Sequence, residues 1–343
     1  MLSALFRKHP AATTPVPPAG HTPAPDGAAP PVLAAREPAD PAAWVAEHRD
    51  TLRGLAAEHG ALTVRGLGLR DAAGVKAVLD RITGRPMTER EGFAARDRHA
   101  EGVYSSSAWP RNQPMCMHHE MSYATRCPGL LLFACLRAPT EGGATAVADA
   151  AAVLRSLPAE LVERFEREGW ILTRAYHDEI GTAPAQAFGT DDRAGIEAYC
   201  RDHAVDWSWQ PDGSLRTRQH RRAVARHPVS GLRCWFNQIA FLSEWTTAPE
   251  VREFLTDEYG PDGLPFNTLY GNGEPLSPDV VEQINKTYEA HTVRRPWRAG
   301  DLMIVDNVRT AHSREAYQGP RDVLVGMGDP LAPQPARSEG TAT

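Results

Sequence analysis

Leu130-Leu131-Leu132-Phe133-Ala134-Cys135-Leu136 is an unbroken apolar run of seven residues in a chain of 343. A run this short reads as a strand, and its lack of alternation means that both faces are covered. Gly142-Gly143 turns the chain, and residues 145–148 return as a second strand. Further short strands are predicted at 61–65, 170–176, 215–218, 223–226, 232–236, 301–305 and 322–327. Pro211-Asp212-Gly213 and residues 228–231 supply turn chemistry between them. Helices are inserted around these strands. One runs over 44–59 and stops at Gly60, and another runs from an Asp71 cap to Ile82. Asp149 caps a third, which Pro158 breaks before a further helical stretch to Glu168. Asp191-Asp192 opens a short helix to His203, and others span 249–259 and 277–290. The last starts well, with Ser277 at the cap, Pro278 at the first helical position and Asp279 in the first turn. Many short strands with scattered helices predict a mainly β sandwich or open barrel with peripheral helices, not alternating βαβ units. Residues 92–108 are polar and irregular, which suits either a mobile flap over a site or a surface loop.

Residues 1–40 are rich in Ala and Pro, with 9 of the 29 prolines, and read as a disordered leader. Residues 41–330 form one domain in this reading, and 331–343 a flexible tail. Near the start an apolar patch precedes Arg7 and Lys8, the reverse of a secretory signal. Five cysteines without a close CxxC pair argue against a disulfide framework or zinc ribbon, and fit a reducing cytoplasm. A net charge of −6 and the absence of a long apolar stretch predict no nucleic-acid partner and no membrane.

Upstream of the apolar run stands His118-His119-Glu120. On a strand, positions two apart share a face, so His118 and Glu120 converge while His119 turns away. His119-Glu120 does not open a zinc-protease HExxH helix, because Tyr123 occupies the second His position. His312 follows the strand at 301–305 and can supply a third ligand from its loop, oriented by Asp306-Asn307. Two imidazoles and one carboxylate leave three positions open on an octahedral ion, the arrangement of non-haem Fe(II) oxygen activation. A zinc site with the same ligands stays open at this point. Arg321, nine residues on, presents a planar fork suited to a carboxylate, and the Thr145 hydroxyl can donate to the same group.

Together these pieces resemble the taurine dioxygenase (TauD/TfdA) family of Fe(II)/2-oxoglutarate oxygenases. The resemblance rests on His118-x-Glu120, Gly142-Gly143-Ala144-Thr145, His312 and Arg321, over roughly residues 45–330. Within the family the SyrP-like branch is most similar, through Met121-Ser122-Tyr123, Asp149 with Val153-Leu154, Tyr176-His177-Asp178, Trp235-Phe236-Asn237-Gln238 and Gly319-Pro320-Arg321. The resemblance implies a double-stranded β-helix (jelly roll) core, with Fe(II), 2-oxoglutarate and O₂ as cofactors and co-substrates. It implies that His118, Glu120 and His312 bind the metal while Thr145 and Arg321 bind 2-oxoglutarate. It also implies hydroxylation of an amino acid, free or tethered to a peptidyl carrier protein, in antibiotic-type biosynthesis. Sulfonate-using relatives carry a basic residue four positions past the co-substrate Arg, where this chain has Val325. Halogenating relatives lack the metal carboxylate, which Glu120 retains. Desaturation or cyclisation uses the same cofactors and is the nearest alternative; a non-catalytic jelly-roll metal-binding module and a zinc hydrolase are the others. For the substrate head group, Ser105, Ser106, Ser107, Arg226 and Asn237 are the candidates.

Overall fold

The computed structural model describes residues 29–177 and 180–333. Most of the expected leader and tail, the reversed signal pattern and Asp178 lie outside the described residues. Of the 1–40 segment, Val32–Ala34 is a strand, paired in parallel with Ala61–Arg65, so the sheet begins before residue 41.

The core is a jelly roll. Its larger sheet has seven strands, in the order Val32–Ala34, Ala61–Arg65, Leu302–Asp306, Cys127–Arg137, Asp322–Leu331, Val103–Ser105 and Arg98–Ala100. The facing sheet has four, in the order Thr292–Val293, Thr145–Asp149, Thr310–Arg314 and Met115–His118. Beyond the Val32–Ala34 edge the pairings within both sheets are antiparallel. The apolar run explains the layering. Leu130, Leu132 and Ala134 pack outward with Val45, Leu52, Ala56, Val75, Leu79 and Ile82 of the N-terminal helices. Leu131, Phe133 and Cys135 pack inward, toward the facing sheet. Met303 and Val305 against Leu302 and Ile304 divide in the same way. Period-two geometry thus gives one strand two dry faces.

Most helix ends fall where their caps predict. The Asp71 carboxylate accepts from Gly74 N–H, Asp149 from Ala151 and Ala152 N–H, and Ser277 from Val280 N–H. The helix expected over 44–59 is instead two, Pro41–Glu47 and Arg49–His59, broken at His48. At the break the Trp44 carbonyl takes both the His48 backbone N–H and the His48 ring. A third sheet, of Asp206–Trp209, Leu215–Arg221, Trp170–Tyr176 and Asn267–Tyr270, packs on the core through Trp170, Leu172 and Tyr270. Among the described residues no helix is long and apolar enough to cross a membrane.

Residues 92–108 are neither a free flap nor a plain surface loop. They contribute the strands Arg98–Ala100 and Val103–Ser105, and Phe93 is buried. The base of this stretch is bolted down at Glu91, a buried residue in the left-handed region at φ 56. Its carboxylate accepts from Tyr199 Oη and Gln219 Nε2 (2.8 Å each), and its carbonyl from Tyr123 Oη and Arg174 Nη1 (2.7 Å each). Glu91, Arg96 and Ser107 are spent on buried partners while Asp97, Arg98, His99 and Glu101 face solvent, a division that a polarity count cannot make.

Candidate metal centre

His118 and His312 are directly opposed on neighbouring antiparallel strands. A β-bulge follows at once, since the step from His312 to Arg314 spans Met115 to His118 on the partner strand. His312 therefore lies inside the strand Thr310–Arg314, not in a loop. Glu120, in contrast, is not in a strand. Met115–His118 ends at His118, and Glu120 follows in a turn with Met121 at φ 54. The convergence expected from alternation is present, but the turn produces it. One ligand atom from each of His118, Glu120 and His312 lies within 4.8 Å of the others, and all three residues are buried.

His118 and Glu120 are each held in a state fit to bind a cation. His118 Nδ1 hydrogen-bonds the Cys116 carbonyl at 2.9 Å, so that nitrogen carries the proton and Nε2 is bare. Phe241 stacks on the His118 ring with centroids 4.6 Å apart, and Phe133 lies 5.0 Å from His312. Glu120 Oε2 accepts from Arg96 Nη2 at 2.9 Å and lies 3.7 Å from His312 Nε2. Burial opposes ionisation of Glu120, but Arg96 and the two imidazoles outweigh it and hold the carboxyl well below its usual range. Two imidazoles, of which burial disfavours protonation at His118, and a carboxylate kept charged beside Arg96 form a donor set for a divalent metal.

The backbone of the turn is gripped from outside. The Asn307 side chain accepts from Glu120 N–H at 2.8 Å and donates to the Glu120 carbonyl at 2.9 Å. Gln238 Nε2 donates to the His119 carbonyl at 2.7 Å. His119 points away from the cluster, bonding the Asn307 carbonyl through Nδ1 at 2.6 Å. Asn307 was expected to orient a His312 loop, whereas its contacts orient Glu120. Replacing Asn307 by Ala is expected to weaken iron binding by about 10–100-fold, the usual loss for a supporting shell. An iron titration with unchanged affinity would remove Asn307 from this role.

Across the cavity, Arg321 Nε donates to the Gly143 carbonyl at 2.9 Å. Its Nη1 reaches Ser106 Oγ at 3.3 Å and its Nη2 Thr145 Oγ1 at 3.4 Å. Gly142 and Gly143 are both left-handed, at φ 66 and 69. A Cβ on Gly142 would lie 2.3 Å from the Ala316 carbonyl, and one on Gly143 3.2 Å from Arg321 Cδ. The paired glycines are thus required for the turn that seats Arg321. Arg314 lies beside it, its guanidinium donating to the carbonyls of Trp109, Pro110 and Gln113. Among the described residues no carboxylate pairs with Arg321 or Arg314. Burial, with Arg314 adding repulsion, lowers the Arg321 pKa to about 10. A desolvated cation without a counter-ion is a standing site for an anion.

The other sequence candidates divide. Ser106 and Ser107 line the cavity with Arg96, Thr145, His118, His312 and Arg321. Their hydroxyls are taken up by the two arginines, Ser107 Oγ accepting from Arg96 Nε at 3.0 Å and Ser106 from Arg321. Ser105 is a correction: its hydroxyl accepts from Asp97 N–H, and it does not line the cavity. Asn237 is another, a buried residue whose amide is used by the Ala223 carbonyl and Ile239 N–H. Arg226 is the third. It is exposed on the strand Val224–Arg226 and lines a separate cleft of about 610 Å³ with Glu166, Arg233 and Pro333. Arg96 was missed. It sits in an irregular stretch 24 residues before Glu120, and an isolated Arg there carries no sequence signal.

Burial also makes the site a pH sensor of stability. It lowers His118 to about 3, with His312 reinforcing and Glu120 opposing, and lowers His119 to about 4. Below the free value of 6.5 the unfolded chain takes up protons that the folded chain refuses. Stability of the metal-free protein should therefore fall as pH drops from 6.5 toward 4 and be insensitive to these groups above that window. Melting temperatures across the range test this, with a shallower slope expected for His119→Gln. A flat profile would mean that neither ring is held neutral.

The family model for "Taurine catabolism dioxygenase TauD, TfdA family" matches residues 22–327. The chain is 32% identical to the dapdiamide synthesis protein DdaC of Enterobacter agglomerans, covering 80% of this chain and 84% of that one. It is 26% identical to a clavaminate synthase-like protein of Arabidopsis thaliana, covering 79% and 82%. Among solved structures, PvcB of Pseudomonas aeruginosa superposes with a TM-score of 0.48 at 17% identity, covering 83% of this chain and 81% of that one. With the family matched over most of its length, this chain belongs to the TauD/TfdA family of Fe(II)- and 2-oxoglutarate-dependent dioxygenases.

Proposed function

We propose that this dioxygenase hydroxylates an unactivated C–H bond of an amino acid, free or carried on a peptidyl carrier protein, in natural-product biosynthesis. His118, Glu120 and His312 hold the iron in this reading, and Arg321 with Thr145 holds the far carboxylate of 2-oxoglutarate. The single observation that carries it is the carboxylate of Glu120 placed between the imidazoles of His118 and His312, across the cavity from the buried Arg321, which no carboxylate pairs among the described residues. Bound there, Fe(II) and 2-oxoglutarate supply the electrons that activate O₂, in the overall reaction R–H + O₂ + 2-oxoglutarate → R–OH + succinate + CO₂.

The protein's own share is placement and exclusion of water. Arg321 Nη2 and Thr145 Oγ1 can both donate to one carboxylate group, which fixes the co-substrate at the end remote from the metal. Phe93, Phe133 and Phe241 pack around the imidazoles and keep the reacting region dry. Val325 lines the cavity at the position where a sulfonate would need a cation, which favours a different substrate. The similarity to a dapdiamide synthesis protein supports a biosynthetic setting.

Anaerobic addition of Fe(II) and 2-oxoglutarate should raise a weak absorption band near ~500 nm, the signature of keto-acid chelation at an open ferrous site. Amino acids and their carrier thioesters, incubated in air, should then gain one oxygen in mass. Loss of two hydrogens instead would assign desaturation or cyclisation. Absence of any change with every amino-acid-derived compound would remove the amino-acid reading.

A further inference from the structure

Arg96 is a cavity-lining cation beside Glu120 whose bonding is incomplete. Its side chain is only 4% exposed, and it lines the cavity with His118 and His312. Three of its interactions are accounted for. Nη2 donates to Glu120 Oε2 at 2.9 Å, Nε donates to Ser107 Oγ at 3.0 Å, and Nε lies 3.6 Å from Glu89 Oε1. Nη1 is buried and has no acceptor. An unfilled guanidinium N–H in a low-dielectric wall is costly and is best satisfied by an anionic oxygen.

The charge balance points the same way. Glu120 is the nearest counter-charge to Arg96. When Glu120 shares its charge with a divalent cation, Arg96 keeps only the more distant Glu89. Metal loading therefore strengthens the demand for a second anion at Arg96. The co-substrate's far carboxylate is assigned to Arg321 and does not fill it. Arg96 Nη2 lies one hydrogen bond from Glu120, so an anion on Nη1 sits beside the metal centre.

Resting on the amino-acid reading above, we infer that Arg96 Nη1 anchors a carboxylate of the substrate and so selects for an acid over its neutral analogue. The carboxylate has two sources, the α-carboxylate of a free amino acid or the side-chain carboxylate of an acidic residue that can also be presented as a thioester.

The test is calorimetric titration into the anaerobic protein loaded with Fe(II) and 2-oxoglutarate. The probes are the free amino acids, their α-methyl esters, and aspartyl and glutamyl thioesters beside their asparaginyl and glutaminyl counterparts. Neutralising the relevant carboxylate should weaken binding by about 30-fold or more, as for loss of one partner of a buried charge pair. Weakening by the α-ester assigns the free acid; weakening only on Asp-to-Asn or Glu-to-Gln exchange assigns the side chain. Arg96→Lys keeps a cation beside Glu120 but loses the fork, and should abolish the acid preference with iron content and 2-oxoglutarate affinity intact. Equal binding of acids and neutral analogues, binding of none of the acids, or an undiminished acid preference in Arg96→Lys would overturn the inference. So would loss of iron in Arg96→Lys, which would make the residue a support for Glu120 alone. These outcomes are separable from the amino-acid reading, which is decided by product mass.

Discussion

Glu120→Ala is expected to lose iron and about 3 kcal/mol of stability together, the lower end of the cost of breaking a buried ion pair. The pair with Arg96 is almost fully enclosed, with side chains 1% and 4% exposed. Removing the carboxylate leaves a buried guanidinium whose remaining counter-charge, Glu89, is 3.6 Å away. That residual pairing is why the cost sits at the low end. Iron-dependent consumption of 2-oxoglutarate should fall by more than about a hundredfold, because even supporting-shell changes cost about 10–100-fold. The two effects have different origins and can be separated. Adding Arg96→Met to Glu120→Ala removes the stranded charge and should restore most of the melting temperature of the metal-free protein without restoring iron. A single variant that melts like the parent would show that the pair is energetically idle. One that still consumes 2-oxoglutarate with iron would remove Glu120 from the ligand set.

Arg321→Leu should act in the opposite sense on stability. Arg321 carries a charge that burial disfavours, with its pKa lowered to about 10 and no carboxylate partner among the described residues. Because the folded value lies below the free value of 12.5, the penalty is in force at every pH below about 10 and fades above it. Replacing it with Leu should raise the stability of the metal-free protein, by on the order of 1–3 kcal/mol after discounting for partial exposure and the lost bond to Gly143. Affinity for 2-oxoglutarate should fall roughly 100-fold or more, within the 2–5 kcal/mol range for a truncated buried charge pair. Iron content should be unchanged. Arg321→Lys should lie between, since a point charge replaces a two-pronged donor. An unaltered KM for 2-oxoglutarate in Arg321→Leu would end the assignment.

The parts of this site that were legible in the chain are those carried by short-range rules. His118 with Glu120 stands at a spacing that suggests convergence, although a turn rather than strand alternation delivers it, and the glycine pair before Thr145 and Arg321 after His312 stand out by resemblance to the family pattern. The substrate candidates fared differently. Ser105, Arg226 and Asn237 have head-group chemistry, but the hydrogen bonds of Ser105 and Asn237 close on the protein itself and Arg226 lies exposed on a separate cleft. Nothing in the order of residues reveals whether a polar group is already satisfied. Arg96 is the converse. Its importance comes wholly from contacts with residues 7, 11 and 24 positions away on other segments.

The sequence alone determined the central strands and most of the capped helices, the burial of the central apolar strand on both faces, and the residue types able to donate to a metal. These follow from periodicity, capping and residue chemistry, which act over a few residues. Tertiary structure alone decided that His312 lies within a strand directly opposite His118, that a turn gripped by Asn307 aims Glu120, and that Arg96 closes on Glu120 from a polar stretch. Those facts depend on strand register and on the meeting of segments nearly 200 residues apart, such as Glu120 and Asn307. Local propensity carries no information about such meetings, because packing and the satisfaction of buried polar groups are settled only when the whole core assembles.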